Sequence, residues 1–236
     1  MNRFFHSHHS TLKKTKSLVQ LFIVQVYGWM TCGLILTSFV SWYTYHTPYL
    51  LKLIFYNNYT TISLIMIQII LVMIISNKIQ YLNSKLATFL FMLYSVLTGL
   101  TLSSIIILYT YTSIFNAFIS TSFMFGIMTI YGYFTKKDLR NFESLLLMSI
   151  IGILIGSIIN LLMHSKFLMW IITYFNIITF TFLAAYNTQK IKYFIIQNSI
   201  NNKNQLKKFS ILGALNLYLN FINIFLISLR LFNNKK

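Results

Sequence analysis

The sequence predicts an all-α, polytopic membrane protein, and three observations carry that prediction. Seven apolar runs are each long enough to cross a bilayer. Hydrophobic residues fill 57% of the 236 positions while charged residues fill only 9%. The basic residues gather between the runs rather than inside them. A spanning helix needs about 20 apolar residues, each rising about 1.5 Å. Backbone groups in hydrocarbon must be satisfied without water, so such runs fold as helices whose connections lie outside. The strands of a membrane barrel are excluded by the length of the runs and by their lack of two-residue polar alternation.

The first run, Leu18 to Tyr45, is far longer than the apolar core of a signal peptide and has no A-x-A-like cleavage site. It reads as a retained span. Its transmembrane part is placed at 21–45, behind a basic cytoplasmic tail at 1–20. The further spans are placed at 53–76, 86–109, 113–134, 145–163, 167–186 and 209–232, leaving a short C-terminal tail at 233–236. Before the fifth span, Thr135 and Asp138 fit a capping-box pattern, and acids near a helix start suit its macrodipole. Gly152 and Gly156 within that span form G-x-x-x-G, a close-packing face. After the sixth span, Asn187 reads as a helix C-cap. The stretch Gln189 to Ile200 sets Ile191, Phe194 and Ile195 beside Lys190 and Lys192, which suits a short interfacial helix.

Orientation follows from the sorting of Lys and Arg. Arg3, Lys13, Lys14 and Lys16 precede the first span, Lys78 and Lys85 follow the second, and Lys136, Lys137 and Arg140 follow the fourth. Lys190, Lys192, Lys203, Lys207 and Lys208 follow the sixth, whereas the alternate connections hold only Lys52 and Lys166. The positive-inside rule then sets the N-terminus in the cytoplasm. Arg230, Lys235 and Lys236 oppose it, so the last helix either spans despite them or re-enters; its length favours a span. The net charge of +17 is explained by cytoplasmic flanks facing anionic headgroups of the lipid bilayer. No soluble domain remains to bind nucleic acid.

Catalytic chemistry has little to work with. The only acids, Asp138 and Glu143, lie among Lys and Arg in a wet connection and do not resemble a general base. Cys32 is the single cysteine, so no intrachain disulfide or cysteine-based zinc site can form. His6, His8 and His9 form a cluster with no neighbouring Cys or acid, which reads as a solvated tail. No phosphate-binding loop, dinucleotide fingerprint, metalloprotease motif or nucleophile elbow occurs. A non-enzymatic protein with no cofactor and no metal is expected. The polar signal lies instead in the seventh run, where Gly213, Asn216, Asn220 and Asn223 recur at spacings of three, four and three, on one helical face. A lone amide facing lipid near mid-membrane would cost several kcal/mol. The stripe therefore turns toward other helices, either as interhelical glue or as the lining of a polar path.

Four stretches taken together resemble the Bax inhibitor-1 family, most closely its bacterial inner-membrane branch: QVYGWMTCGLILTSFVSWY from Gln25, FMLYSVLTGLTLSSI from Phe91, MFGIMTIYGYFTKKDL from Met124, and AAYNTQKIK with SILGALNLYLNFINIFLISLRLF. The resemblance runs from about Gln25 to Arg230. It implies six helices around a central C-terminal helix. It also implies a pH-sensitive calcium leak or, in other branches, control of a membrane-bound quality-control protease or of cell-death signalling. In the family the leak rests on two aspartates, in motifs like A-Y-D-T-Q and L-Y-L-D-F-I-N; the matching positions here are Asn187 and Asn220. An amide offers a carbonyl oxygen but neither titrates nor neutralises a cation. The expected function is therefore a membrane-homeostasis factor or regulator acting through helix and lipid contacts, with a protease of that kind as a possible partner. The alternative is a weakened calcium leak. The candidate polar positions are Asn187, Asn216, Asn220 and Asn223.

Overall fold

The computed structural model describes residues 2–56, 58–198 and 203–232, with side chains described at 17–56, 59–197 and 204–232. The described residues form eight α-helices: α1 (Asn2–His46), α2 (Pro48–Phe55), α3 (Asn58–Lys78), α4 (Ser84–Leu108), α5 (Tyr111–Phe134), α6 (Glu143–Met163), α7 (Lys166–Asn198) and α8 (Lys203–Leu231). All but α2 contain a stretch long and apolar enough to cross a membrane. The chain is an all-α, multi-pass membrane protein. α8 is the most buried of the seven, with 61% of its apolar stretch buried, and α3 and α6 the least, at 11% each. A helix that carries polar groups into the hydrocarbon has most need of protein around it.

The contacts divide the chain into two units. The first comprises Met1–Ser104 and Ile191–Leu215. In it α1 buries one face, Val19, Phe22, Val26, Met30, Thr37, Ser41 and Thr44, at the three- and four-residue spacing of a helical stripe. α4 meets that stripe closely. A side chain at Gly33 would strike Phe91 and Ser95, and one at Gly99 would strike the Thr37 carbonyl and Val40. The Thr37 hydroxyl lies 2.9 Å from the carbonyl oxygens of both Gly33 and Ser95, a hydroxyl shared between its own helix and α4. The start of α8 is held by the Lys207 ammonium over the Trp29 ring at 5.6 Å and by Lys208 Nζ donating to the Gln80 carbonyl at 2.9 Å.

The second unit comprises Ile105–Lys190 and Asn216–Lys236. Here α5 lies along the later half of α8. Ser113 Oγ donates to the Phe232 carbonyl at 3.0 Å, Thr121 Oγ1 to Ser228 Oγ at 3.3 Å, and Phe125 meets Phe221 edge-on at 5.6 Å. α5 also closes on α7 at Gly132, where any Cβ would collide with the Ala185 backbone. Ala185 and Tyr186 continue into a small core with Leu139 and Leu146.

Several expectations change. The second span begins at Asn58 rather than 53, because residues 53–55 close the separate short helix α2. Thr60 and Thr61 hydroxyls both donate to the Ile54 carbonyl, at 2.7 and 2.8 Å, satisfying an acceptor freed at the end of α2. The sixth helix does not stop at Asn187. α7 runs on to Asn198, so Asn187 is not a C-cap, and Gln189 onward continues the same helix instead of forming a separate interfacial one. Its 33 residues reach about 50 Å at about 1.5 Å each, well beyond an apolar layer of about 30 Å. Asp138 caps a 3-10 turn at Leu139–Phe142 by accepting from the Arg140 N–H, and does not share a capping box with Thr135. Glu143 opens α6 itself, where the macrodipole favours it. The G-x-x-x-G face packs only in part: a Cβ at Gly156 would touch Ile172, while at Gly152 it would meet nothing. α8 is one unbroken helix, which fits a single crossing and not a re-entrant hairpin. Ile200, Lys235 and Lys236 lie outside the described residues, as do the side chains of His6, His8, His9 and the basic residues of the tail.

Candidate functional site

α7 and α8 build the candidate site within the second unit. Phe180, Leu183, Asn187 and Lys190 recur on α7 at three, four and three residues, so they share one face. Asn216, Leu219, Asn220 and Asn223, at i, i+3, i+4 and i+7, share one face of α8. Together these two faces line a cavity of about 260 Å³. The three asparagines singled out by spacing thus come together with Asn187, which the family resemblance pointed to, while Gly213 stands apart against Val26 and Ile191.

The four amides differ in setting. Asn216 is exposed, Asn187 and Asn223 are half-buried, and Asn220 is 2% exposed. Neither Nδ2 nor Oδ1 of Asn220 has a protein hydrogen-bond partner among the described residues. The interhelical partner expected for this amide is therefore missing, and its polar atoms are buried without one. A buried, unpaired polar group costs about 1–3 kcal/mol. Asn220→Leu is accordingly expected to raise the detergent melting temperature, by the equivalent of about 1 kcal/mol. A drop in melting temperature would show that the amide supports the fold.

Lys190 is the polar member of the site absent from the candidate positions, because a lysine at a helix boundary reads as a topology signal. Its ammonium donates to Glu143 Oε1 and to the Tyr186 hydroxyl, each at 3.0 Å. The bond to Glu143 ties α7 to the start of α6, and the bond to Tyr186 lies within α7 itself. One turn of polar contacts beside them is tighter still. Gln189, 1% exposed, accepts from the Leu139 N–H at 2.7 Å and donates to the Lys137 carbonyl at 2.8 Å. The α5–α6 connection is thereby clamped to the helix that carries Asn187 and Lys190.

No carboxylate lines the cavity among the described residues. Asp138 is committed to Arg140, whose Nη2 lies 2.8 Å from Oδ2. The Arg140 guanidinium, followed by its backbone N–H, holds the Asp138 carboxyl below the usual carboxylate range. Whatever that pair contributes is present at neutral pH and is lost as pH falls through the lowered value. Glu143 lies outside the cavity lining and engages Lys190. The arrangement offers amide donors, amide acceptors and one ammonium, and no anionic ligand for a hard cation.

Residues 19–236 match the family model described as inhibitor of apoptosis-promoting Bax1. The chain is 47% identical over 236 residues to the inner membrane protein YbhL of Escherichia coli (strain K12), covering all of both chains. It is 36% identical to an uncharacterized protein of Borreliella burgdorferi, over 96% of this chain and 97% of that one. It is 33% identical to the uncharacterized protein RP147 of Rickettsia prowazekii, over 96% of each.

Proposed function

Since the chain belongs to the Bax inhibitor-1 family, we propose that it is an inner-membrane homeostasis factor or regulator that works through helix and lipid contacts, without enzymatic chemistry and without a proton-gated calcium path. One observation carries this reading. The cavity holds amides at Asn187 and Asn220, the positions where the family resemblance places aspartates, together with the Lys190 ammonium. At an effective dielectric of about 20, a unit charge about 5 Å from a divalent cation is worth roughly 7 kcal/mol of attraction or repulsion. Removing two such attractions and keeping an ammonium disfavours calcium. The lipid bilayer and its anionic headgroups are the proposed contacts, and a membrane-bound quality-control protease is the kind of protein partner the family resemblance implies.

A residual cation leak is the second reading, favoured by the four asparagines that line one cavity. Calcium flux into proteoliposomes at mildly acidic and neutral pH separates the two. The proposed function expects little flux and no switch between the two pH values; a clear pH switch in the unaltered protein would overturn it.

The orientation belongs to the same proposal. Cysteine labelling in a background lacking Cys32 is expected to place positions 13, 78, 137 and 203 on the cytoplasmic side. Labelling of 78 and 137 from opposite sides would contradict it.

A further inference from the structure

We infer that α2 is an interfacial helix whose outer face, Tyr49, Lys52, Leu53 and Tyr56, docks onto the lipid head groups of the leaflet away from the basic connections. The inference rests on the lipid-contact reading above and gives that contact a place. Pro48, the single proline of the chain, opens α2, where its fixed φ suits a first helical position. It also holds Thr47 in extended backbone, φ −112° and ψ 95°, so α2 starts afresh instead of continuing α1. Eight residues rise about 12 Å, too little to cross a hydrocarbon layer of about 30 Å. Yet α2 is kept at the membrane boundary, because one span ends at His46 and the next begins at Tyr59. The Thr60 and Thr61 hydroxyls hold its Ile54 carbonyl to the first turn of α3.

The two faces of α2 differ. Ile54, 2% exposed, marks the face turned to the protein, with Leu50, Leu51 and Phe55 half-buried around it. Tyr49, Lys52, Leu53 and Tyr56, at i, i+3, i+4 and i+7, form the other face and line one open groove. Tyr49 is 73% exposed, Leu53 54% and Tyr56 85%. In water that much aromatic and aliphatic surface on so short a helix would be unfavourable. At a bilayer surface each group finds its medium: Leu53 meets acyl chains, the tyrosine rings lie among head groups with their hydroxyls wet, and Lys52 reaches out to phosphate. Exposed Trp42 and Tyr43 near the end of α1, and exposed Tyr59 at the start of α3, carry the same aromatic chemistry to either side. No acid lies between Trp42 and Thr61, so Lys52 sets the local charge, which suits anionic lipid. A second copy seated symmetrically on this face would instead bring two Lys52 ammoniums together.

The test uses the full chain with Cys32→Ser in proteoliposomes of phosphatidylethanolamine and phosphatidylglycerol. Tyr49→Cys, Leu53→Cys and Tyr56→Cys are each labelled with a nitroxide, and collision with oxygen and with a water-soluble nickel chelate is read by power saturation. Met66→Cys, within the α3 span, and Lys137→Cys, in the α5–α6 connection, mark hydrocarbon and water. The label at 53 is expected about 5–10 Å inside the head-group level, with those at 49 and 56 at that level and the one at 66 deeper. Nickel collision at 53 should be several-fold lower than at 137. Far-UV circular dichroism checks that each variant folds. Labels at 49, 53 and 56 that are as open to nickel as 137 would place α2 in water and overturn the inference. Spin–spin broadening at 53 with loss of both collisions would place a second copy on the face and overturn it equally. Calcium flux in the same vesicles is read separately: a pH-switched flux would overturn the proposed function and leave the depth of α2 to decide this inference.

Discussion

Gln189→Leu is expected to destabilise the protein by about 2–4 kcal/mol, the largest effect expected from a single substitution near the site. Leu139, 2% exposed, would keep a buried N–H with nothing to accept it, costing about 1–3 kcal/mol. The Lys137 carbonyl belongs to an exposed residue and can turn to water, so its loss adds only about 1 kcal/mol. The same change should unclamp the connection that carries Lys136, Lys137 and Arg140, each a tryptic site. Cleavage there is expected to accelerate about tenfold, in line with an opening made easier by at least about 1.4 kcal/mol. Gln189→Glu keeps an acceptor for the Leu139 N–H and should cost less. A Gln189→Leu protein that melts and digests like the parent would show that the clamp adds nothing.

Gln189 also marks where sequence reasoning stops. A glutamine flanked by Lys190 and Lys192 has the pattern of a solvated boundary, and only tertiary packing makes it 1% exposed. Hydropathy reports the solvent a segment prefers, and so it located all seven spans. It does not report where the backbone helix ends, which is why α7 passes through Asn187 to Asn198 and why the α2–α3 break lies inside an apolar run. The asparagine face of α8 was legible because helical spacing alone aligns residues 216, 220 and 223. That Asn187 shares their cavity was not legible from spacing, since it depends on how α7 packs beside α8. Gly132 escaped notice for the same reason. Its neighbours in sequence are ordinary, and the demand for a missing side chain comes from the Ala185 backbone on another helix. By contrast, Gly152 belongs to a recognisable motif yet meets no neighbour within the described chain.

The double substitution Asn187→Asp with Asn220→Asp is expected to create a pH-dependent calcium flux where the parent protein has little. Both positions line one cavity, so two carboxylates placed there share a volume of about 260 Å³. Like charges confined in that way resist joint ionisation and titrate as a pair, holding one proton between them until the pH is high enough to remove it. The doubly ionised pair supplies the two negative charges that a hard divalent cation needs. Calcium occupancy should therefore rise with pH. Lys190 works against this from the same lining, favouring ionisation of the acid nearest to it and repelling the cation. Adding Lys190→Met to the double variant should accordingly shift the pH response toward alkaline values and increase the flux. Either single aspartate should give less than the pair, because one carboxylate beside an ammonium leaves the cavity near neutral. Parent, single, double and triple variants are compared in liposomes with an entrapped calcium dye at mildly acidic and neutral pH. Flux that is equal in the parent and the double variant would show that charge at these two positions does not control passage. A double variant that folds, binds calcium and conducts none would place the barrier elsewhere along α7 and α8, and would favour a role exercised through contacts alone.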